Sequence, residues 1–137
     1  MKVSDNFSLQ EFVPKSVWDK YGAKAIWFID PRIIESAQIL RDELGVSLTI
    51  NNWSYGGARY MSGLRIPDMN IYRPFSQHAF GRAVDIVSNK ISAQEMREHI
   101  LNNQALYPHI TTIEGNVSWL HMDCRNRPEP EIQVFQP

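Results

Sequence analysis

Two histidines and an aspartate stand out by type and spacing: His78, Asp85 and His121. The first two lie within Ser76-Gln77-His78-Ala79-Phe80-Gly81-Arg82-Ala83-Val84-Asp85. The third lies in Trp119-Leu120-His121-Met122-Asp123. Imidazole nitrogen and carboxylate oxygen are zinc ligands, and three protein ligands leave a fourth position for water or substrate. A site of that kind lowers the pKa of a water and polarises a carbonyl, so it suits hydrolysis. A lone buried histidine is more often a hydrogen-bonded core residue. Two histidines and an aspartate in one motif pair reverse that reading.

Strand parity supports the grouping. Successive side chains of a strand point to opposite faces. Arg82 to Val87 reads as a strand with Ala83, Asp85 and Val87 on one face and Val84 and Ile86 on the other. Trp119 to Cys124 reads as another, with Trp119, His121 and Asp123 on one face and Leu120, Met122 and Cys124 on the other. If the two strands are near neighbours, Asp85 and His121 project into one space. Gly81 permits a sharp turn that brings His78 back over the strand. Ala83 keeps the wall beside the metal small.

The elements that must position these residues follow from local signals. Ser8-Leu9-Gln10-Glu11 is a capping box, with Phe7 stapled onto Phe12. Pro14 ends that turn. Ser16 is expected to cap a second short helix that ends at Gly22. Asp30-Pro31 pairs a cap residue with proline at the first helical position. Ile33, Ile34, Ala37, Leu40 and Leu44 then recur at helical spacing, and Gly45 closes the helix. Ser47 to Asn51 reads as a strand. Residues 52–75 form a long loop rich in Gly, Arg and aromatics, a length that points to function. Ser92-Ala93-Gln94-Glu95 opens another helix to about Asn103, with Met96 and Ile100 inward. Ile110 to Ile113 and Trp119 to Cys124 are expected to form a hairpin around Glu114-Gly115-Asn116. Ile132 to Phe135 adds an edge strand. The whole describes one α+β domain over residues 1–137, a small mostly antiparallel sheet with flanking helices.

Composition bounds the function. A chain of 137 residues with 43% hydrophobic and 21% charged residues buries one real core. A net charge of −1 gives no general attraction to nucleic acid or anionic membranes. The single cysteine, Cys124, excludes an internal disulfide and reads as a buried apolar thiol. Met1 to Asn6 runs into polar sequence without an apolar signal segment, and no run of about 18 apolar residues could span a membrane. The expectation is a monomer made in the cytoplasm, which acts outside the cell only if another factor releases it. His99 and His109 read as surface residues, and Trp53, Tyr55 and Trp119 as part core and part cleft wall.

The spacing Ser-x-His-x-x-Gly-x-Ala-x-Asp followed by Trp-x-His-x-Asp resembles the M15-type zinc peptidases. That group contains D-Ala-D-Ala carboxypeptidases and dipeptidases and the L-alanyl-D-glutamate endopeptidases of phage lysis systems. The resemblance covers roughly residues 50–125 and implies a hedgehog/DD-peptidase-like fold. It implies zinc on His78, Asp85 and His121, and an amide bond of peptidoglycan stem peptides as substrate. Many relatives carry an acidic residue three positions before the last zinc histidine, where this chain has Ser118. Glu114 is then the nearest upstream carboxylate and the expected general base and acid. Asp123 is its competitor. It lies about 6 to 7 Å along the strand from His121 and better suits a carboxylate that orients a ligand. Stem peptides carry free carboxylates, which arginine takes with two parallel hydrogen bonds. Relatives place such an arginine in a Ser-Gly-aromatic-Arg context, which Ser62-Gly63-Leu64-Arg65 resembles loosely. Arg65 is the first candidate and Arg59 the second, with Ser76 near metal or substrate.

Small size suggests a phage or prophage lysis enzyme. Two other classes stay open: a zinc-containing binding module that has lost catalysis, as in the hedgehog signalling domain, and a structural virion protein of the same fold. The absent acid at position 118 favours the former.

Overall fold

The structure, a computed structural model, describes residues 1–137. Its N-terminal third is helical and polar signals set its boundaries. The carboxylate of Glu11 accepts the Ser8 N–H at 2.8 Å, closing a 3₁₀ turn over Leu9–Glu11. The Phe7 and Phe12 rings meet edge to face, 5.8 Å between centroids. Helix α1 spans Lys15–Tyr21 and ends at Gly22. Pro14, not Ser16, occupies its cap position, because proline's fixed φ and missing N–H suit a helix start. A 3₁₀ segment, Gly22–Phe28, follows.

Helix α2 spans Pro31–Leu44. Asp30 accepts the Arg32 N–H at 3.0 Å, and Gly45 ends the helix in the left-handed region. Ile33, Ile34, Ala37 and Leu40 are buried and Leu44 packs beside them. Helix α3, Ala93–Asn102, opens on a reciprocal pair: Ser92 N–H donates to the Glu95 carboxylate at 2.9 Å, and Glu95 N–H donates to Ser92 Oγ at 3.1 Å. Met96 and Ile100 enter the core.

Four short strands form one sheet in the order β1-β3-β2-β4: β1 Ala83–Ile86, β2 Thr112–Glu114, β3 Leu120–Asp123 and β4 Gln133–Phe135. β3 runs antiparallel to both neighbours, while the edge strand β4 runs parallel to β2. The fold is α+β. One sheet face carries Val84, Ile86, Ile113, Leu120 and Met122, all fully buried in a single cluster with the apolar faces of α2 and α3. The other face carries Ala83, Asp85, Thr112, Glu114, His121 and Asp123. No helix is long and apolar enough to cross a membrane.

Two readings differ from expectation. Residues 47–51 make only a one-residue bridge, Thr49 to Val87, rather than a strand. Beyond it Asn51 N–H turns away to Glu11 O, and the Asn51 side chain bonds Val13 O and Ser62 N–H. Glu114 ends strand β2 instead of sitting in a turn. The 52–75 loop is tied down by polar side chains: Trp53 Nε1–H donates to Val13 O at 2.9 Å and Asn52 Oδ1 accepts Arg59 N–H at 2.9 Å.

Candidate metal centre

Asp85 and His121 are direct register partners across β1 and β3. Glu114 is the partner of His121 on its other side, and Phe135 the partner of Glu114. One row therefore crosses all four strands as Asp85, His121, Glu114, Phe135. His78 reaches the row from the tight turn Ser76–Gly81, in which Ala79 N–H bonds Ser76 O and Gly81 N–H bonds His78 O. Gly81 has φ +67°, and a Cβ there would sit 1.9 Å from Phe28 O. Only glycine fits, which gives the motif's glycine a steric reason.

His78, Asp85 and His121 are buried, and one donor atom from each lies within 4.8 Å of the others. Asp85 Oδ1 is 3.2 Å from His78 Nε2 and 3.0 Å from His121 Nδ1. Zinc bonds of about 2.0–2.2 Å set tetrahedral ligand separations of roughly 3.4 Å, which the two distances from Asp85 Oδ1 approach. The far ring nitrogens are also engaged. His78 Nδ1–H donates to Gly63 O at 2.8 Å, and His121 Nε2–H donates to Asp123 Oδ2 at 2.8 Å. With the far nitrogens so engaged, His78 Nε2 and His121 Nδ1 are the nitrogens that would take an ion beside Asp85, the outer arrangement of metal-ligating histidines. This group could hold a metal ion.

Each carboxylate is held in turn by an arginine. Arg65 Nη2 donates to Asp85 Oδ2 at 2.8 Å, leaving Oδ1 as the ligand oxygen. Arg125 grips the fully buried Asp123 with Nε at 2.9 Å and Nη2 at 2.6 Å. Burial alone would raise the Asp85 pKa, but hydrogen bonds from His121 and His78 outweigh it and hold the carboxyl well below the usual range. Burial likewise opposes ionisation of Asp123, but hydrogen bonds from Arg125 and His121 outweigh it and hold the carboxyl below its usual range.

The centre opens into a cavity of about 410 Å³ that includes Arg65, Ser76, Gln77, Glu114, Trp119 and Arg125 in its wall. Arg65, Ser76 and Glu114 thus join the expected ligands. Arg59 does not reach the cavity. Its guanidinium bonds Ile50 O, Ser62 Oγ and Asp85 O and so braces the loop. Ser118 is exposed and lies outside the cavity wall. His99 bonds Tyr107 Oη and His109 bonds Glu35, both away from the centre. Cys124 is buried, and burial pushes its thiol up to about 11.

Four cavity residues, Phe75, Gln77, Arg125 and Phe135, had no role in the sequence reading. Arg125 follows Asp123 by two, and that spacing was a usable signal. Gln77 lies in the motif itself, and its buried Oε1 has no hydrogen-bond partner. Phe135 carried no local signal. Its ring lies 5.8 Å from that of His121 and 5.3 Å from the Arg125 guanidinium, a placement that depends on the parallel pairing of β4. No family model matches the chain, and comparison with curated proteins and with solved structures finds no significant match.

Proposed function

We propose that this chain is a zinc-dependent peptidase that hydrolyses an amide bond in peptidoglycan stem peptides. The observation that carries the reading is the convergence of His78 Nε2, Asp85 Oδ1 and His121 Nδ1 at one wall of a cavity whose next sheet position is Glu114. A nitrogen-rich ligand set with one carboxylate favours zinc over magnesium or calcium, which take oxygen ligands. When bound, zinc would lower the pKa of a water and stabilise charge on a carbonyl oxygen.

The chain's own residues supply the rest. Glu114 accepts a proton from the attacking water and passes it to the nitrogen of the breaking amide, which leaves as an amine. Arg65 uses Nε on Met61 O and Nη2 on Asp85, which leaves Nη1 for a substrate carboxylate.

Purified sacculi incubated with the protein, with chelator, and with chelator followed by zinc test the reading. The expected result is release of fragments with new amine and carboxylate ends, lost with chelator and restored by zinc. Mass spectrometry of the fragments names the bond. Intact sacculi at full zinc occupancy would leave the non-catalytic binding module or the virion protein.

A further inference from the structure

The densest group of exposed aromatics lies beside the metal centre rather than in it. Tyr21, Trp27, Phe28 and Phe80 line a groove of about 440 Å³. Trp27 is 74% exposed, an unusual setting for the largest aromatic side chain. The 3₁₀ segment Gly22–Phe28 explains its presentation. Residues three apart eclipse in such a helix, so Lys24 and Trp27 share one outward face, with the ammonium 5.8 Å from the ring centroid. Phe28 is held against Tyr21 at 5.0 Å, edge to face. Lys20 lies over the Tyr21 ring at 5.3 Å and Arg82 over the Phe80 ring at 5.0 Å. The aromatic surfaces thus have a rim of hydrogen-bond donors.

This groove and the metal cavity share a wall. Arg65 lines both. The turn that carries His78 into the metal cavity puts the next two residues, Ala79 and Phe80, into the groove. Gly81 then presses on the Phe28 backbone, and Asp30 N–H donates to Gly81 O at 3.0 Å. A ligand lying along the aromatics therefore runs over one tight turn to the metal.

We propose that the Trp27 groove binds the glycan strand to which the stem peptide is attached, so that the true substrate is polymeric peptidoglycan rather than free peptide. The inference rests on the hydrolase reading above. Pyranose rings present a C–H face that packs on exposed aromatic rings, while their hydroxyl and N-acetyl groups take donors from a polar rim. A concave aromatic floor with Lys20, Lys24 and Arg82 at its edge matches both demands. Its continuity with the metal cavity matches the covalent link between glycan and peptide. A flat membrane surface would not need the concavity.

Chitotetraose, a β-1,4-linked N-acetylglucosamine tetramer without a stem peptide, separates binding from turnover. Titrated into the zinc-loaded protein, it should bind saturably and change tryptophan fluorescence. Trp27→Ala should weaken binding by about tenfold or more, with zinc content and melting temperature unchanged. The same variant should cleave sacculi more slowly and a free stem peptide at the parent rate. Absence of saturable binding, or equal binding by Trp27→Ala, overturns the proposal. So does a Trp27-dependent affinity for anionic phospholipid vesicles, or Trp27-dependent dimerisation, without tetramer binding. Binding of the tetramer by a protein inert on sacculi and free peptide would overturn the hydrolase reading alone. Cleavage of both substrates without tetramer binding would overturn the groove alone.

Discussion

Glu114 and His121 face each other as register partners across β2 and β3. Cα atoms so paired lie about 4.5–5.5 Å apart, and their side chains leave the sheet on the same face. The carboxylate is therefore fixed by the sheet itself rather than by a loop. Glu114→Gln keeps size and polarity and removes the proton acceptor. Zinc content should stay at one per chain, while kcat falls by roughly 100-fold or more. Parallel elemental analysis and sacculus turnover check this. Near-parent turnover by the variant would remove Glu114 from the chemistry.

Asp123 has the opposite profile. It is fully buried, bonded to His121 Nε2, and gripped by Arg125. It has no place in the cavity wall. Asp123→Asn should weaken zinc affinity by roughly 10- to 100-fold, and turnover should recover when excess zinc refills the site. A dead variant at full occupancy would make Asp123 the base.

The helices and the ligand parity could be read from local sequence because their signals are local. Asp30-Pro31 and Gly45 bracket α2 at the expected residues. Alternation groups Asp85 with Ala83 and His121 with Asp123, and the register of β1 on β3 then puts both sets on one face. Other features depend on contacts distant in sequence. The parallel pairing of β4 brings Phe135 beside His121, and nothing in residues 132–135 announces a parallel partner. Asn51 spends its amide on Val13 and Ser62, which unzips an apparent strand. Arg59 and Arg65 look equivalent as loop arginines. Only the fold shows that one braces the loop and the other grips Asp85 of the candidate metal centre.

Arg65 consequently has two tasks to separate. Its Nη2 restrains Asp85 Oδ2, so Arg65→Lys should weaken zinc binding by up to about tenfold, the lower end of losses for groups that orient a ligand. At saturating zinc, any remaining loss in kcat/KM reports substrate contact, worth roughly 10- to 150-fold for a charge-assisted hydrogen bond. That second loss should shrink on substrates with an amidated carboxylate. Equal loss on free-acid and amidated substrates would confine Arg65 to holding Asp85.

Metal binding should release a proton, and the sign follows from His121. In the metal-free protein burial would lower its pKa, but hydrogen bonds with Asp123 and Asp85 outweigh burial and raise it from 6.5 to about 9. The imidazolium's contribution to stability is thus fully present below pH 6.5 and lost as pH rises through about 9. A zinc ligand must be unprotonated, so at pH 7 to 8 the ion displaces this proton. Apparent zinc affinity should rise with pH, by about tenfold per unit for one displaced proton, and level off near pH 9. The melting temperature of chelator-treated protein should fall between pH 7 and 9, whereas the zinc-loaded protein should hold. Calorimetry in buffers of different ionisation heat counts the protons directly. Zinc affinity independent of pH across this range, with no proton release, would mean that His121 is not a ligand.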